Sequence, residues 1–319
     1  MQDGCLLKCS YCIIPTVRPV LRSRGMDEIA DEVQRLVTSG YHEIVLTGIH
    51  LGHYGLDLSR GRPKAKWTRL WHLLERLGEL PGDFRIRLSS LEAAEARDDL
   101  VRVMAEQPRI CPHLHLCLQS GSDRILRLMK RRYASSGFLE RVRRIRATLD
   151  RPAFTTDVIL GFPGETDADF DATCRVVREA GFAKIHIFSY SPRQGTPAAE
   201  MRNAVPPQVV QQRRQGLLEI ERELAEGYHR SLFGWRLNVL VEGAEPQRPG
   251  FVRGTSCRYA PVVFRGHSPA LLRRVVPVRA IGIEAGVLLG EPEQERTLPS
   301  AAAPPPLVES AHRMTLPVL

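Results

Sequence analysis

The chain has 319 residues, 43% of them hydrophobic and 25% charged, the make-up of a soluble globular protein with one large core and room for a small accessory domain. No run of eighteen apolar residues occurs, and the start, MQDGCLLKC, lacks a secretion-signal pattern, so no membrane span is expected and the expected location is cytoplasmic. The excess of 45 Lys and Arg over 36 Asp and Glu gives a net charge of +9, rich in arginine, which favours a polyanionic partner.

The first chemical signal comes at once. Cys5, Cys9 and Cys12 stand in the spacing C-x3-C-x2-C. Three thiolates at such spacing cap three irons of a cubane cluster and leave the fourth open to a small ligand. A zinc site calls for a fourth Cys or His at matching spacing, and none follows nearby. A disulfide framework calls for an even cysteine count in a secreted chain, whereas this chain has seven.

From residue 26 to 190 one theme repeats, helix followed by short apolar strand. Met26–Ser39 places Ile29, Val33, Leu36 and Val37 on one face, with Gly40 as C-cap. The strand EIVLTG follows and ends at Gly48. Then come a helix at Trp67–Leu77, a strand at Phe84–Ser90, a helix near Arg97–Glu106 and a strand at His113–Gln119. Helices at Asp123–Arg132 and Phe138–Leu149 precede the strand Phe154–Gly161, and a helix at Asp167–Ala180 precedes Lys184–Tyr190. Five apolar strands alternating with helices predict a parallel sheet with right-handed crossovers and working residues at the C-terminal strand ends. Those ends carry Thr47-Gly48, Ser89-Ser90, Gln119-Ser120-Gly121, Gly161–Glu165 and Ser189–Ser191. The cysteine loop needs a strand before it, yet only four residues precede Cys5, so a first strand cut short is expected.

His113 and His115 alternate with leucines and share a face, but no cysteine or carboxylate partner is evident at ligand spacing, so they read as structural or pocket-lining. Cys111, Cys117, Cys174 and Cys257 share no spacing and read as buried small hydrophobes. Residues 1–204 form the expected catalytic core. Residues 205–232 form a polar, arginine-rich helical connector with a solvated face, and 233–290 a small all-β module. Residues 291–319 are proline- and alanine-rich and read as a disordered tail.

The segment QDGCLLKCSYCIIPTVRPVLRSR resembles the cluster-binding loop of radical S-adenosylmethionine (SAM) methylthiotransferases. The resemblance continues through LTGIHLGHYG, CPHLHLCLQSGSDRILRLMKRRY, TTDVILGFPGETDADF and HIFSYSPRQGTPAAEM. It implies a partial (β/α)6 radical SAM barrel followed by a small β-barrel like the RNA-binding TRAM module. Within the family the motifs look most like the branch that adds a methylthio group to C2 of N6-threonylcarbamoyladenosine in tRNA.

By that resemblance Cys5, Cys9 and Cys12 hold a [4Fe-4S] cluster whose open iron chelates SAM, the source of a 5′-deoxyadenosyl radical. Tyr11 matches the position beside the SAM adenine, Thr47 and Gly48 the strand end that meets its amino group, and Val158 through Gly161 the edge that packs on adenine. Ser90, Gln119 and Ser120 face the same pocket. Arg193 is placed to reach substrate, and Arg253, Arg258 and Tyr259, together with Trp235 and Arg265, to grip tRNA. The implied partners are tRNA and a flavodoxin- or ferredoxin-like electron donor; the sulfur donor and a catalytic residue are left unassigned.

Full-length family members carry an N-terminal domain whose three further cysteines hold a second cluster, and residues 1–319 contain no second triad. Three readings therefore stay open: a methylthiotransferase in truncated form, of this branch or of the isopentenyladenosine or ribosomal-protein branches; a SAM-cleaving enzyme without sulfur insertion; or an RNA-binding remnant.

Overall fold

The computed structural model describes residues 1–293. Its first half is built from parallel strands. β1 (Gln2–Asp3) leads into the cysteine loop and the short helix α1 (Ile14–Val17), whose first turn holds Pro15. β2 (Arg22–Ser23) returns antiparallel to β1. There follow α2 (Met26–Thr38), β3 (Glu43–Leu46), α3 (Leu70–Gly78), β4 (Arg85–Leu88), α4 (Asp98–Glu106) and β5 (His113–His115). Helices α5 (Asp123–Leu128) and α6 (Ser135–Thr148) lead to β6 (Ala153–Leu160), and α7 (Asp167–Ala180) to β7 (Lys184–Ser189). β3 pairs with β4, and β5 with β6 and β6 with β7, all parallel. Single parallel bridges, Gln2 to Gly48 and Ile86 to Ile110, join these sheets in the order β1-β3-β4-β5-β6-β7. The predicted partial barrel is present, and its short first strand is Gln2–Asp3.

The helix α2 ends as its sequence requires: Gly40, at φ +86°, donates its N–H to the Val37 carbonyl. β5 is shorter than the seven apolar-alternating residues suggested. The chain beyond His115 keeps single bonds to β6 but turns at Gln119, which holds a left-handed φ of +62°.

Alternation sorts the strand residues onto two faces. Ile44, Leu46, Ile86, Leu88, Leu114, Leu116, Phe154, Val158, Ile185 and Ile187 enter the large core beneath the helices. Glu43, Arg85, Arg87, His113, His115, Thr155, Asp157 and His186 point the other way, into the barrel. There Glu43 Oε2 lies 2.5 Å from Arg85 Nε and its Oε1 3.0 Å from Arg87 Nε. Burial raises the Glu43 carboxyl, but the two guanidiniums outweigh it and hold it below its ordinary value.

The helix α8 (Pro207–Ser231) departs from the expected solvated connector. Leu217 and Ile220 enter the main core, and buried Arg213 donates to Glu165 Oε2 at 2.8 Å and Asp167 Oδ1 at 2.8 Å. It packs beside β7, where Arg214 donates to the Ile187 carbonyl at 2.6 Å, while Arg213 ties it to the start of α7. The next strands, β8 (Arg236–Ala244), β9 (Phe251–Ser256) and β10 (Pro261–Arg265), precede the short α9 (Ser268–Leu271), β11 (Val275–Glu284) and β12 (Val287–Pro292). They form a closed barrel in the order β10-β12-β11-β8-β9 around Leu237, Val239, Val252, Phe264 and Leu288. β12 runs through Glu291 and Pro292, the first residues of the stretch expected to be disordered; residues 294–319 of that stretch lie outside the described residues. No helix among the described residues is long and apolar enough to cross a membrane.

The small barrel seals one end of the large one. Arg85, the first residue of β4, donates to the carbonyls of Asn238 at 2.6 Å and Thr255 at 2.9 Å, and Arg87 to that of Ser256 at 2.9 Å. His113, the first residue of β5, stacks on Tyr259 with ring centroids 4.4 Å apart. This is the N-terminal end of the parallel strands.

Candidate active site

The cysteine loop occupies the other end. Gln2 sets its height: the Ile49 N–H donates to the Gln2 carbonyl at 3.2 Å and the His50 N–H to Gln2 Oε1 at 2.7 Å. Gly4 then turns at φ +79°, where a Cβ would strike the Val20 carbonyl, so only glycine passes. Further along, Ser10 binds the C-terminal end of α5, its N–H to the Met129 carbonyl at 3.0 Å and its hydroxyl to that of Leu128 at 2.7 Å.

Two of the three sulfurs already receive polar hydrogens. Cys5 Sγ accepts the Leu7 N–H at 3.4 Å and lies 3.3 Å from His50 Nδ1. Glu95 Oε1 sits 2.5 Å from His50 Nε2, and Glu95 Oε2 accepts the Glu92 N–H at 3.3 Å. Burial pulls the His50 imidazole down, but its hydrogen bonds to Cys5 and Glu95 push it up to about 9. His53 stacks on it at 3.7 Å and is lowered to about 4 by burial and the His50 charge. Cys9 Sγ accepts from Arg131 Nη1 at 3.3 Å; the buried guanidinium also grips Glu92 and reaches Tyr11 Oη at 3.4 Å. Burial raises the Cys9 thiol against the opposing pull of Arg131. The Cys12 N–H donates to the Cys9 carbonyl at 3.2 Å.

These residues fit a thiolate-held cluster. All three thiols are free, N–H donors point at two of them, and a cation with a buried side chain stands beside Cys9. The three sulfurs do not converge within 4.8 Å, as the ligands of a single ion would.

The other predicted positions divide. Thr47 and Ser90 are exposed and Gly48 half-buried at strand ends on the cysteine side. Tyr11 is half-buried against Ile125, Met129 and Phe162, seating the loop. Gly161, at φ +75°, donates its N–H to Glu165 Oε2 at 2.8 Å and lines a cleft of about 400 Å³ with Ser189 and Tyr190. Gln119 is buried, with its backbone bonded to Asp157 and Ile159 of β6.

Two expectations for this rim are revised. The Ser120 hydroxyl accepts the Ser122 N–H at 3.2 Å inside the turn that starts α5. The Val158 side chain is fully buried in the helix-facing core, because its place in the alternation points it away from the barrel.

The RNA-binding set divides as well. Arg193, Arg253 and Arg265 are exposed. Arg258 is buried, donates to the Asp150 and Arg151 carbonyls and stacks on Trp235, and Tyr259 lies against His113, so both belong to the seam between the barrels. Sequence reasoning passed over His50, Glu92, Glu95 and Arg131. Two of them, His50 and Arg131, stand in the segments LTGIHLGHYG and LMKRRY, but the convergence of all four around the sulfurs needed the fold.

A parallel barrel with a three-cysteine loop at the C-terminal strand ends defines a cluster-bearing, SAM-binding class of enzyme. The model for the radical SAM superfamily matches residues 1–177, and the chain belongs to that superfamily. It is 38% identical over 291 residues to the threonylcarbamoyladenosine tRNA methylthiotransferase MtaB of Chlamydia pneumoniae, covering 91% of this chain and 66% of that protein. It is 43% identical over 239 residues to the tRNA-2-methylthio-N(6)-dimethylallyladenosine synthase of Corynebacterium jeikeium (strain K411), covering 75% and 47%. The chain spans about half the length of several of the curated relatives it matches. Among solved structures, the radical S-adenosylmethionine methyltransferase TsrM from Kitasatospora setae has a TM-score of 0.50 at 14% identity, covering 62% of this chain and 37% of that one, a likeness of fold alone.

Proposed function

We propose that the chain is the catalytic portion of a radical SAM tRNA methylthiotransferase acting on N6-threonylcarbamoyladenosine in the cytoplasm. The observation that carries this reading is the Cys5–Cys9–Cys12 loop, seated with N–H donors from Leu7, His50 and Arg131 facing Cys5 and Cys9. Cys5, Cys9 and Cys12 hold the [4Fe-4S] cluster. When bound, the cluster supplies one-electron cleavage of SAM and so hydrogen abstraction at an adenine carbon. His50 and Arg131 fix the sulfurs and their electronics. Tyr11, Phe162 and Tyr190 exclude water from the loop's inner side. Thr47, Gly48, Ser90 and Gly161 border the SAM site. Arg193, Arg253 and Arg265 supply cations for tRNA. A flavodoxin- or ferredoxin-like protein supplies electrons.

The threonylcarbamoyl branch is favoured because that match runs through 91% of the chain and so into the small barrel. The 43% identity to a dimethylallyladenosine enzyme supports the second reading. Anaerobic reconstitution with iron and sulfide tests the chemistry: about four irons per chain and SAM cleavage are expected, both lost in Cys9→Ala. A colourless, iron-free protein that still binds tRNA leaves only the RNA-binding remnant. Release of 5′-deoxyadenosine without methylthio transfer leaves the SAM-cleaving reading. Assays on threonylcarbamoyl- and dimethylallyl-modified tRNA separate the branches.

A further inference from the structure

Inside the barrel a second group of ligand-type atoms, none of them from the cysteine loop, converges. One ligand atom each of His115, Cys117 and Asp157 lies within 4.8 Å of the others. The sequence hid this set. His115 and Cys117 share a strand face, but the carboxylate arrives from the neighbouring strand β6, brought level when the Gln119 N–H donates to the Asp157 carbonyl at 2.8 Å.

The His115 ring is held for ligation. Its Nδ1 is 3.0 Å from Thr155 Oγ1, which turns Nε2 towards Asp157 Oδ1 at 3.3 Å. Nε2 is nevertheless buried without a hydrogen-bond partner. A histidine anchored through one nitrogen, with the other free and facing anionic groups, is the usual arrangement around a bound metal. Burial, reinforced by Asp157 and Glu92, pushes the Cys117 thiol up to about 12, so as a free side chain it stays protonated. A dication reverses that preference, since a coordinating thiol loses its proton.

We propose that His115, Cys117 and Asp157 form a binding site for one divalent transition-metal ion of the zinc type. Imidazole, thiolate and carboxylate together suit Zn²⁺ and exclude Ca²⁺ and Mg²⁺, which take oxygen ligands. One thiolate and one carboxylate neutralise the ion, as a buried site requires. Three protein ligands leave a fourth position for water or a neighbouring group. The His186 ring lies 5.6 Å from that of His115 and lines a neighbouring cleft of about 690 Å³.

Cobalt(II) is the probe, added to the full chain with Cys5, Cys9 and Cys12 all changed to Ser so that the cluster thiols cannot bind it. One equivalent should produce the intense visible bands of four-coordinate cobalt and a sulfur-to-cobalt charge-transfer band, both displaced by one equivalent of Zn²⁺. Adding Cys117→Ser should abolish the charge-transfer band, and His115→Gln or Asp157→Asn should weaken binding at least tenfold. Unchanged metal-free thermal unfolding of each variant keeps loss of fold from imitating loss of a ligand. Absence of four-coordinate bands at stoichiometric cobalt, or their persistence in Cys117→Ser, overturns the site. The measurement is independent of SAM cleavage and of methylthio transfer.

Discussion

Arg131 Nη1 lies 3.3 Å from Cys9 Sγ, although more than a hundred residues separate the two in sequence. The Arg131 side chain is buried and shared with Glu92 and Tyr11, so its position is fixed before any cluster arrives. A charge-assisted donor on a cluster sulfur stabilises the reduced, more negative state.

Arg131→Gln should therefore make the cluster harder to reduce. The loss of one charge-assisted hydrogen bond, about 1.5 kcal/mol, corresponds to a midpoint shift on the order of 60 mV to more negative potential. A redox titration followed by electron paramagnetic resonance reads it directly. An unchanged potential with full iron content would remove Arg131 from this part.

Gly4→Ala should disturb cluster assembly without touching a ligand. A Cβ at φ +79° meets the Val20 carbonyl, and the strain of about 1–3 kcal/mol falls on the residue before Cys5. Iron per chain after reconstitution should drop while the circular dichroism of the barrel stays the same.

Glu43→Gln should lower the melting temperature. It leaves Arg85 and Arg87 buried without their carboxylate, a loss on the order of 3 kcal/mol. The sign with pH follows from the depressed carboxyl. Its contribution is fully present above the ordinary glutamate value, about 4.3, and is lost as pH falls through the lower folded value. The variant should therefore lose part of the acid-side fall in stability expected of the parent, measured by thermal melts across that range.

Arg253→Ala should weaken tRNA binding and reduce the slope of log affinity against log salt by about 1, as for one lost phosphate contact. Removing residues 233–290 is a different experiment. It uncovers Arg85, Arg87 and His113, and the truncated chain should melt at lower temperature whatever its affinity for RNA. Equal melting of the two forms would show that the small barrel does not support the large one.

Local pattern was enough for the strands and helices that make the barrel. The alternation in EIVL and FTTDVIL separates a helix-facing row from an interior row, and Gly40 stops α2 where its left-handed φ demands. Cys5, Cys9 and Cys12 were legible as a candidate trio for a similar reason, since all three lie in one loop and their spacing is itself the signal. Local pattern misjudged Ser120 and Val158, since a strand-end position does not say which way a side chain turns.

Pattern and spacing within single segments determined the alternation of helices with parallel strands, the candidate cysteine trio and the small all-β module. Tertiary structure alone decided that Arg131 and His50 face the sulfurs, that Arg258 and Tyr259 serve a seam, and that Asp157 joins His115 and Cys117. The physical reason is range. Pairing registers and interior faces are set by contacts between strands far apart in the chain, so groups that act together across them leave no mark in any single stretch of residues.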